Sequence, residues 1–482
     1  MPLSVRSATA AVAAAGAIAA LSLPAAALAS ARVAAPAAKP GEIHAPVTLT
    51  VTSQLVSDDV ATDKAGTAFV GWISDDGSGR EVHLCTIPAG QVACSGGVQV
   101  ISALDSASAE GLRVLATAGG DVTLVWFHDT TNSVNGPQGA EIATATSVNG
   151  GPLSAATDVA SAPSFGSLAD AEFGPGGAIW TVALTSDEKT LQIRPGITSG
   201  YVSKAAPYAV STAKLAFSGS TGIVAIQQGG YVTHPVRYAY EKTGSWSGFK
   251  TLAKTWTAGA NLGLTGTTSG ARLIASVNNA DYYPVVSRWT GTSFSKPAIT
   301  GDTNNCSAFS HDPTSDASGR MADVSEECER VAVANLPDTR HASIVRFGAG
   351  GTFAAGIPQI ATTPRGRAWV VWSVLSGVGD KLVLAPVLLP GRDVSVHKSA
   401  GGDKVTVTGP QSCLPAVSIA VRVSGSGARV VSKSLRLAGK KIGATLNGGS
   451  LTAGHTYKLT GSVTFSGGRT ITKSLTFRSC PS

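Results

Sequence analysis

The 482-residue chain is poor in charge and in methionine: 14% of its residues are charged and only two are Met. Its apolar fraction is nevertheless 43%, which excludes an intrinsically disordered chain. After the first 31 residues, no run of about 18 uninterrupted apolar residues occurs, so no later transmembrane anchor is expected. Abundant Gly, Ala, Ser, Thr and Val complete a composition typical of an all-β secreted protein.

Several motifs of enzymes and metalloproteins are also absent. The chain has no His-Glu-x-x-His, no phosphate loop and no Gly-x-Gly-x-x-Gly followed by a helical pattern. It has no Cys-x-x-Cys and no Cys/His cluster, so the sequence predicts neither a metal site nor a cofactor. The 56 glycines are explained by tight turns between short strands.

The first 31 residues have the features of a signal peptide. Arg6 precedes an Ala-rich apolar run, and small residues offer cleavage sites near Ala29 or Ala31. A retained membrane anchor is the alternative, although the run is weakly hydrophobic for a span. With residues 32–41 as a linker, we expect a secreted, extracellular protein that associates with the cell wall.

The six cysteines suit an oxidising compartment. They order into three local pairs: Cys85 with Cys94, Cys306 with Cys328, and Cys413 with Cys480. Sequence alone allows 15 pairings of six cysteines. The local set is favoured because each of its pairs falls inside one candidate structural unit.

One pattern recurs along most of the chain: a Gly-containing turn and then a short strand of β-branched and aromatic residues. Its copies begin at Asp63, Ala118, Gly174, Gly219, Thr267, Asp316 and Thr363. A second extended run follows most copies, and the copies lie about 50 residues apart. That is the length of one four-stranded blade of a β-propeller.

Seven copies predict a seven-bladed propeller over residues 42–390, with six or eight blades left open. The last copy has only three strands, and the run 44–53, HAPVTLTVTS, lies before the first copy. This run would supply the missing strand of the last blade and so remove the exposed sheet edges of an open array.

On these repeats the chain resembles secreted bacterial β-propeller repeat proteins over about residues 42–390. The resemblance rests on a repeat signature without catalytic specificity. It implies that any site lies at the axial mouth, on innermost strands and top loops. The turn of sialidase-type propellers, Ser-x-Asp-x-Gly-x-Thr-Trp, is approached by SDDGSGRE at Ser74, but this segment lacks the Thr-Trp end.

Residues 391–482 form a different unit. Alternating strands with Gly-bearing turns, and two cysteines enclosing most of the span, predict a β-sandwich of immunoglobulin-like or fibronectin-like type. From Arg392 onward, thirteen Lys and Arg stand against two Asp, a net charge of +11, whereas the whole chain carries +7. Such a basic unit favours an anionic partner, and an evenly charged surface without a partner is the alternative.

Two carboxylates are the candidates for catalysis. In LADAEF, Asp170 and Glu172 lie two residues apart, hence on one face of a predicted strand. If this strand lines the channel, both would face the ring centre as an acid/base pair for glycan cleavage. The alternative is an exposed strand face. His311 and Asp312, in HDPTSDASGR, are assigned to the turn between strands.

Aromatic residues are the candidates for ligand binding. Tyr282, Tyr283, Trp246 and Trp256 concentrate in the fourth and fifth copies, and aromatic faces stack on sugar rings. Core packing is the alternative for this set.

The sequence thus favours a secreted or envelope-associated binding protein rather than an enzyme. The propeller would be a platform for a glycan or protein, and the basic domain would contact an anionic surface. The expected partners are cell-wall polymer, glycan or another envelope protein, without nucleic acid, and the chain is expected to be a monomer. The alternative is a secreted glycoside hydrolase or polysaccharide lyase with carboxylates at the axial mouth.

Overall fold

A computed structural model describes the chain in separate ranges. These are 46–77, 79–103, 109–129, 140–162, 165–228, 235–252, 262–268, 270–277, 283–299, 308–315, 321–327, 330–335, 344–347, 358–363, 367–376, 379–388, 392–395, 404–409, 420–424, 429–442, 456–466 and 468–478. Within them the regular structure is β, apart from one 3₁₀ turn at Pro175–Gly177. The expectation of an all-β chain is confirmed.

The described part of residues 46–388 forms seven antiparallel sheets, which we number 1–7 along the chain. Sheet 1 contains β2 (Gln54–Thr62), β3 (Ala68–Asp75), β4 (Arg80–Ile87) and β5 (Val98–Ser102). Sheet 2 contains β6 (Glu110–Ala116), β7 (Val122–Asp129), β8 (Ala140–Ser147) and β9 (Thr157–Ala162). Sheet 3 contains β10 (Phe165–Phe173), β11 (Ile179–Thr185), β12 (Thr190–Arg194) and β13 (Val202–Ala205).

The next three sheets repeat this order. Sheet 4 contains β14 (Thr212–Ser218), β15 (Thr221–Gln227), β16 (Arg237–Lys242), β17 (Ser245–Trp246) and β18 (Lys250–Thr251). Sheet 5 contains β19 (Gly263–Thr267), β20 (Gly270–Val277), β21 (Tyr283–Arg288) and β22 (Ala298–Ile299). Sheet 6 contains β23 (Ala308–Ser315), β24 (Met321–Glu327), β25 (Arg330–Asn335) and β26 (Ile344–Phe347).

Sheet 7 joins the two ends of this region. Its strands β27 (Gln359–Thr362), β28 (Arg367–Ser376) and β29 (Gly379–Leu388) come from the last copy of the repeat, and β1 (Val47–Thr52) pairs antiparallel with β29. The run assigned by the sequence to the missing strand therefore completes this sheet.

The first strand of each sheet (β2, β6, β10, β14, β19, β23 and β27) touches the first strand of the next one along the chain. The series returns to its start, because β27 contacts β2. Each first strand is also the edge strand of its sheet, so one side of its backbone has no ladder partner within the sheet.

Apolar side chains fill the space between successive sheets. Phe69 and Trp72 pack on opposite neighbours: Phe69 belongs to the cluster shared with sheet 2, and Trp72 to the cluster shared with sheet 7. Because both faces of the second strand are covered, β3 is buried at every residue from Ala68 to Ser74. This two-sided burial explains why the repeat reads as a continuous apolar run rather than an alternating one.

Residues beyond 391 form two further antiparallel sheets in the described ranges. One contains β30 (Arg392–Ser395), β31 (Lys404–Gly409) and β32 (Ala420–Ser424). The other contains β33 (Val430–Leu437), β34 (Lys440–Ile442), β35 (Thr456–Phe465) and β36 (Thr470–Arg478). The two sheets touch, since β31 contacts β35 and β36.

One of the three expected disulfides, Cys85–Cys94, is confirmed, with the two Cα atoms 5.2 Å apart. Cys306, Cys328, Cys413 and Cys480 lie outside the described residues, as do residues 1–45 with the expected signal peptide. No helix in the described part of the chain is long and apolar enough to cross a membrane.

Gly266 in β19 marks a close approach between sheets 4 and 5. A Cβ added to Gly266 would overlap the carbonyl oxygen of Phe217, a backbone atom that has little freedom to move. We expect Gly266→Ala to destabilise the fold by about 1–3 kcal/mol, as overpacking of a filled core does.

The measurement is the melting temperature by differential scanning calorimetry, with Gly248→Ala as the control, since nothing lies within 4 Å of a Cβ added there. Equal melting temperatures for both variants would show that the first strands of sheets 4 and 5 do not meet in this way.

Candidate functional site

The pairing register places charged residues at one equivalent position of the first strands. Asp59 lies opposite Gly71, Arg113 opposite Val125, and Asp170 opposite Val182. Lys214 in β14 and Asp312 in β23 occupy the same place in their own sheets. We call Asp59, Arg113, Asp170, Lys214 and Asp312 the charged layer.

The charged layer lines a cavity of about 250 Å³ where the first strands meet. All seven first strands contribute to its wall. Glu172, two residues after Asp170 and on the same face of β10, lies in the wall as well. Six ionisable groups of both signs therefore share one small space.

Three carboxylates of the charged layer accept hydrogen bonds from the neighbouring sheet. The Asp59 carboxylate accepts from the backbone N–H of Val114 at 2.7 Å, and Asp170 accepts from Leu215 at 2.8 Å. Asp312 accepts from Ile360 at 3.2 Å. Each carboxylate thus satisfies an edge-strand donor that has no ladder partner.

Arg113 is already engaged by the protein. Its Nε donates to Asp170 at 2.9 Å, and both side chains are largely buried. The surrounding carboxylates of Asp170, Asp59 and Asp312 raise the pKa of Arg113 against the opposing effect of burial. Arg113 therefore stays charged and serves first to neutralise Asp170.

Lys214 and Glu172 are the groups that remain available. Among the described residues, neither the Lys214 ammonium nor the Glu172 carboxyl takes part in a hydrogen bond or ion pair. Lys214 is only 7% exposed, yet its charge lowers the pKa of both Asp59 and Asp312. The Lys214 ammonium and the Glu172 carboxyl can therefore both hydrogen-bond to a molecule in the cavity.

Burial shifts the carboxyl pKa values of the cavity upward. Burial, with the charge of Asp170 as a second cause, raises the pKa of Glu172 to about 8. Burial also raises the pKa of Asp312 to about 7, although Lys214 opposes the shift. At neutral pH, Glu172 is therefore mostly protonated and can donate a hydrogen bond or a proton.

The two catalytic candidates from the sequence, Asp170 and Glu172, both line the cavity, although their chemical roles differ. Asp170 is held by Arg113 and by the N–H of Leu215, whereas Glu172 is unengaged. Their role in catalysis stays a prediction.

Of the four aromatic candidates, the structure describes the side chain of Trp246 alone, and the proposed aromatic site stays a prediction. Trp246 is partly buried and packs in the apolar cluster between sheets 3 and 4. Tyr282 and Trp256 lie outside the described residues, and of Tyr283 only the backbone, at the start of β21, is described. Trp289, nearby in the sequence but not one of the candidates, packs edge-to-face on Tyr238 in a buried cluster.

The assignment of His311 and Asp312 to a turn is wrong. Both lie inside β23, where Asp312 faces the cavity and His311 is fully buried. Asp59, Arg113 and Lys214 were not predicted from the sequence. The sequence does contain a signal that could have located the charged layer. In most of the copies, the residue of the charged layer lies seven positions before the glycine of the following turn. The pairs are Asp59 and Gly66, Arg113 and Gly120, Asp170 and Gly177, and Asp312 and Gly319.

No model of a known protein family matches the chain, and no curated protein matches it either. Among solved structures, it is similar to a protein of unknown function from Dyadobacter fermentans DSM 18053, at 8% identity and a TM-score of 0.43, over 73% of this chain and 100% of the other. The polysaccharide lyase Uly1 matches at 11% identity and a TM-score of 0.48, over 72% and 100%. AofleA from Arthrobotrys oligospora matches at 12% identity and a TM-score of 0.41, over 64% and 90%. At these values, none of the three assigns an activity to this chain.

The raised pKa of Glu172 has a measurable consequence for stability. A carboxyl whose pKa is near 8 in the folded state and near 4.5 in the unfolded state favours folding most at low pH. As the pH rises from about 5 to 8, the unfolded state loses this proton first, so stability falls. We expect the melting temperature of the wild type to fall more over this range than that of Glu172→Gln.

The control is Glu188→Gln at an exposed turn, which should follow the wild type. Infrared difference spectra of wild type against Glu172→Gln should also show a protonated carboxyl band that disappears around pH 8. A band already lost at pH 6 would contradict the assignment.

Proposed function

We propose that residues 42–390 form a seven-bladed β-propeller that binds a glycan unit in its axial cavity. Support comes from the seven sheets, from the contacts that lead from each first strand to the next and back, and from β1 completing sheet 7. The protein is a secreted binding protein. Its secretion is supported by the Cys85–Cys94 disulfide, because disulfides persist in oxidising compartments outside the cytoplasm.

The observation that carries this proposal is the convergence of six ionisable groups on one cavity. Its volume, about 250 Å³, lies just below the range of about 300–1,000 Å³ usual for pockets of drug-sized ligands. One sugar unit is therefore the size of ligand that suits it. Sugar hydroxyls both donate and accept hydrogen bonds, and the cavity offers ammonium, neutral carboxyl and carboxylate partners side by side.

Binding is favoured over catalysis because most of the carboxylates are engaged. Cleavage by a pair of carboxylates needs one acid and one free base or nucleophile. Asp59, Asp170 and Asp312 each accept a hydrogen bond from a backbone N–H on the first strand of the next sheet. Glu172 is left as the free carboxyl of the cavity wall.

The second candidate function is a glycoside hydrolase or polysaccharide lyase. The observation in its favour is Glu172, whose pKa near 8 would keep a proton available for a leaving group at neutral pH. Asp170 beside it would then have to act as the base in spite of its contact with Arg113.

For residues 391–482 we propose a β-sandwich that contacts an anionic surface such as cell-wall polymer. Its described sheets touch each other, and their exposed positions carry cations without a matching number of acids: Lys433, Arg436, Lys440, Lys441, Lys458 and Arg469. These positive charges attract a polyanion, and the attraction weakens as the salt concentration rises.

The test of the cavity is a glycan array with the mature protein, followed by titration calorimetry with the best oligosaccharide. We expect Lys214→Met and Glu172→Gln each to weaken binding by at least tenfold, since each removes a polar contact from a buried site. Lys242→Met, an exposed lysine of β16, is the matched control and should bind as the wild type does.

Equal affinities for Lys214→Met, Glu172→Gln and wild type would place binding outside the cavity. Incubation of the same oligosaccharide with the protein separates the two functions. Product formation by the wild type that is lost in Glu172→Gln would favour the hydrolase or lyase over the binding protein.

A further inference from the structure

A second cluster of titratable groups lies away from the cavity, on three strands of sheet 2. His128 is near the end of β7, Glu141 is its direct partner on β8, and Asp158 lies on β9. One ligand atom from each residue lies within 4.8 Å of the other two. The cavity wall includes none of these three residues.

A register shift between β8 and β9 brings Asp158 to this face. The ladder pairs Ile142 with Ala160 and then Ala143 with Asp158, so it passes over Val159. Asp158 therefore shares the face of Ala143 and Glu141, while Val159 packs against the apolar cluster between sheets 2 and 3. Irregularities of this kind commonly redirect a side chain toward a functional site.

The contacts inside the cluster suit a shared positive ion. His128 is 3% exposed, and its Nε2 lies 2.7 Å from Asp158 Oδ1. A carboxylate oxygen of Glu141 lies within 4.8 Å of a ligand atom on each of the other two residues, so one imidazole and two carboxylates share a small space. A bound cation would neutralise both carboxylates and take the ring nitrogen as a third ligand.

We propose that His128, Glu141 and Asp158 form a binding site for a divalent transition-metal ion, zinc first. Zinc takes histidine nitrogen and carboxylate oxygen ligands, and three protein ligands leave one position for water or a further ligand. Calcium is disfavoured, because it takes six to eight oxygen ligands, whereas this cluster offers one nitrogen and two carboxylates. The bound ion would tie together β7, β8 and β9.

The test is titration calorimetry of the full mature chain, without a histidine tag and after treatment with a chelator, against zinc, manganese and calcium chlorides. We expect one zinc ion per chain, with calcium at least tenfold weaker.

The variants are Glu141→Gln and Asp158→Asn, which change partly exposed residues and spare the buried His128. Each should weaken zinc binding by at least tenfold. Glu81→Gln is the matched control, since Glu81 lies 3.8 Å from the ring of His83, two residues along the same strand, and is likewise an acid beside a histidine. It should leave zinc binding unchanged, and melting curves check that all three variants fold.

Anomalous diffraction at the zinc absorption edge then locates the ion. A peak between His128, Glu141 and Asp158 is the expected result. The proposal is overturned if zinc does not bind stoichiometrically, if Glu141→Gln and Asp158→Asn bind it as the wild type does, or if the peak lies elsewhere. Tighter binding of calcium than of zinc would overturn the class of ion.

Discussion

The structure depends on one kind of hydrogen bond. A backbone N–H of one first strand donates to a carboxylate on the preceding first strand. A first strand is the edge of its own sheet, so donors on its free side need an acceptor from elsewhere. Asp59, Asp170 and Asp312 supply it for the next sheet in each case. The interaction links neighbouring sheets, and it also carries negative charge into the space between them.

The charges and pKa values of the other groups in the cavity follow from the burial of these carboxylates. Carboxylates buried together raise one another's pKa values and need nearby cations. Arg113 meets the need by direct contact with Asp170, and Lys214 does so at longer range through its effect on Asp59 and Asp312. Glu172 has no such contact, and its burial beside the charge of Asp170 keeps it protonated at neutral pH. The groups that hold the sheets together are thus separate from those left for a ligand.

Much of the fold could be predicted from the sequence, because turns and buried strands repeat. The Gly-turn before each second strand marked the seven copies, and the run 44–53 could be matched to a last copy that lacked a strand. TDKAGTAFVGW, the first copy, shows why: Gly66 has a φ of 90°, and Phe69 and Trp72 pack on opposite neighbours. These features are local and recur along the chain.

The site could be predicted only in part, since its six ionisable groups come one or two at a time from five separate repeats. Asp170 and Glu172 were found because they share a strand, whereas Arg113 or Lys214 alone resembles any solvated side chain. The seven-residue interval to the turn glycine would have aligned most of the layer. No interval leads to His128, Glu141 and Asp158, because the pairing of β7 with β8 and a register shift between β8 and β9 bring them together.

We propose that a ligand binds in the cavity between the first strands. Hydrogen–deuterium exchange of the mature protein, with and without a saturating pool of charged and neutral oligosaccharides, tests it most directly. We expect slower exchange of the backbone amides in β6, β10 and β14, next to Arg113, Glu172 and Lys214. Slower exchange confined to the C-terminal sheets, or to the outer strands of sheets 1–7, would contradict it.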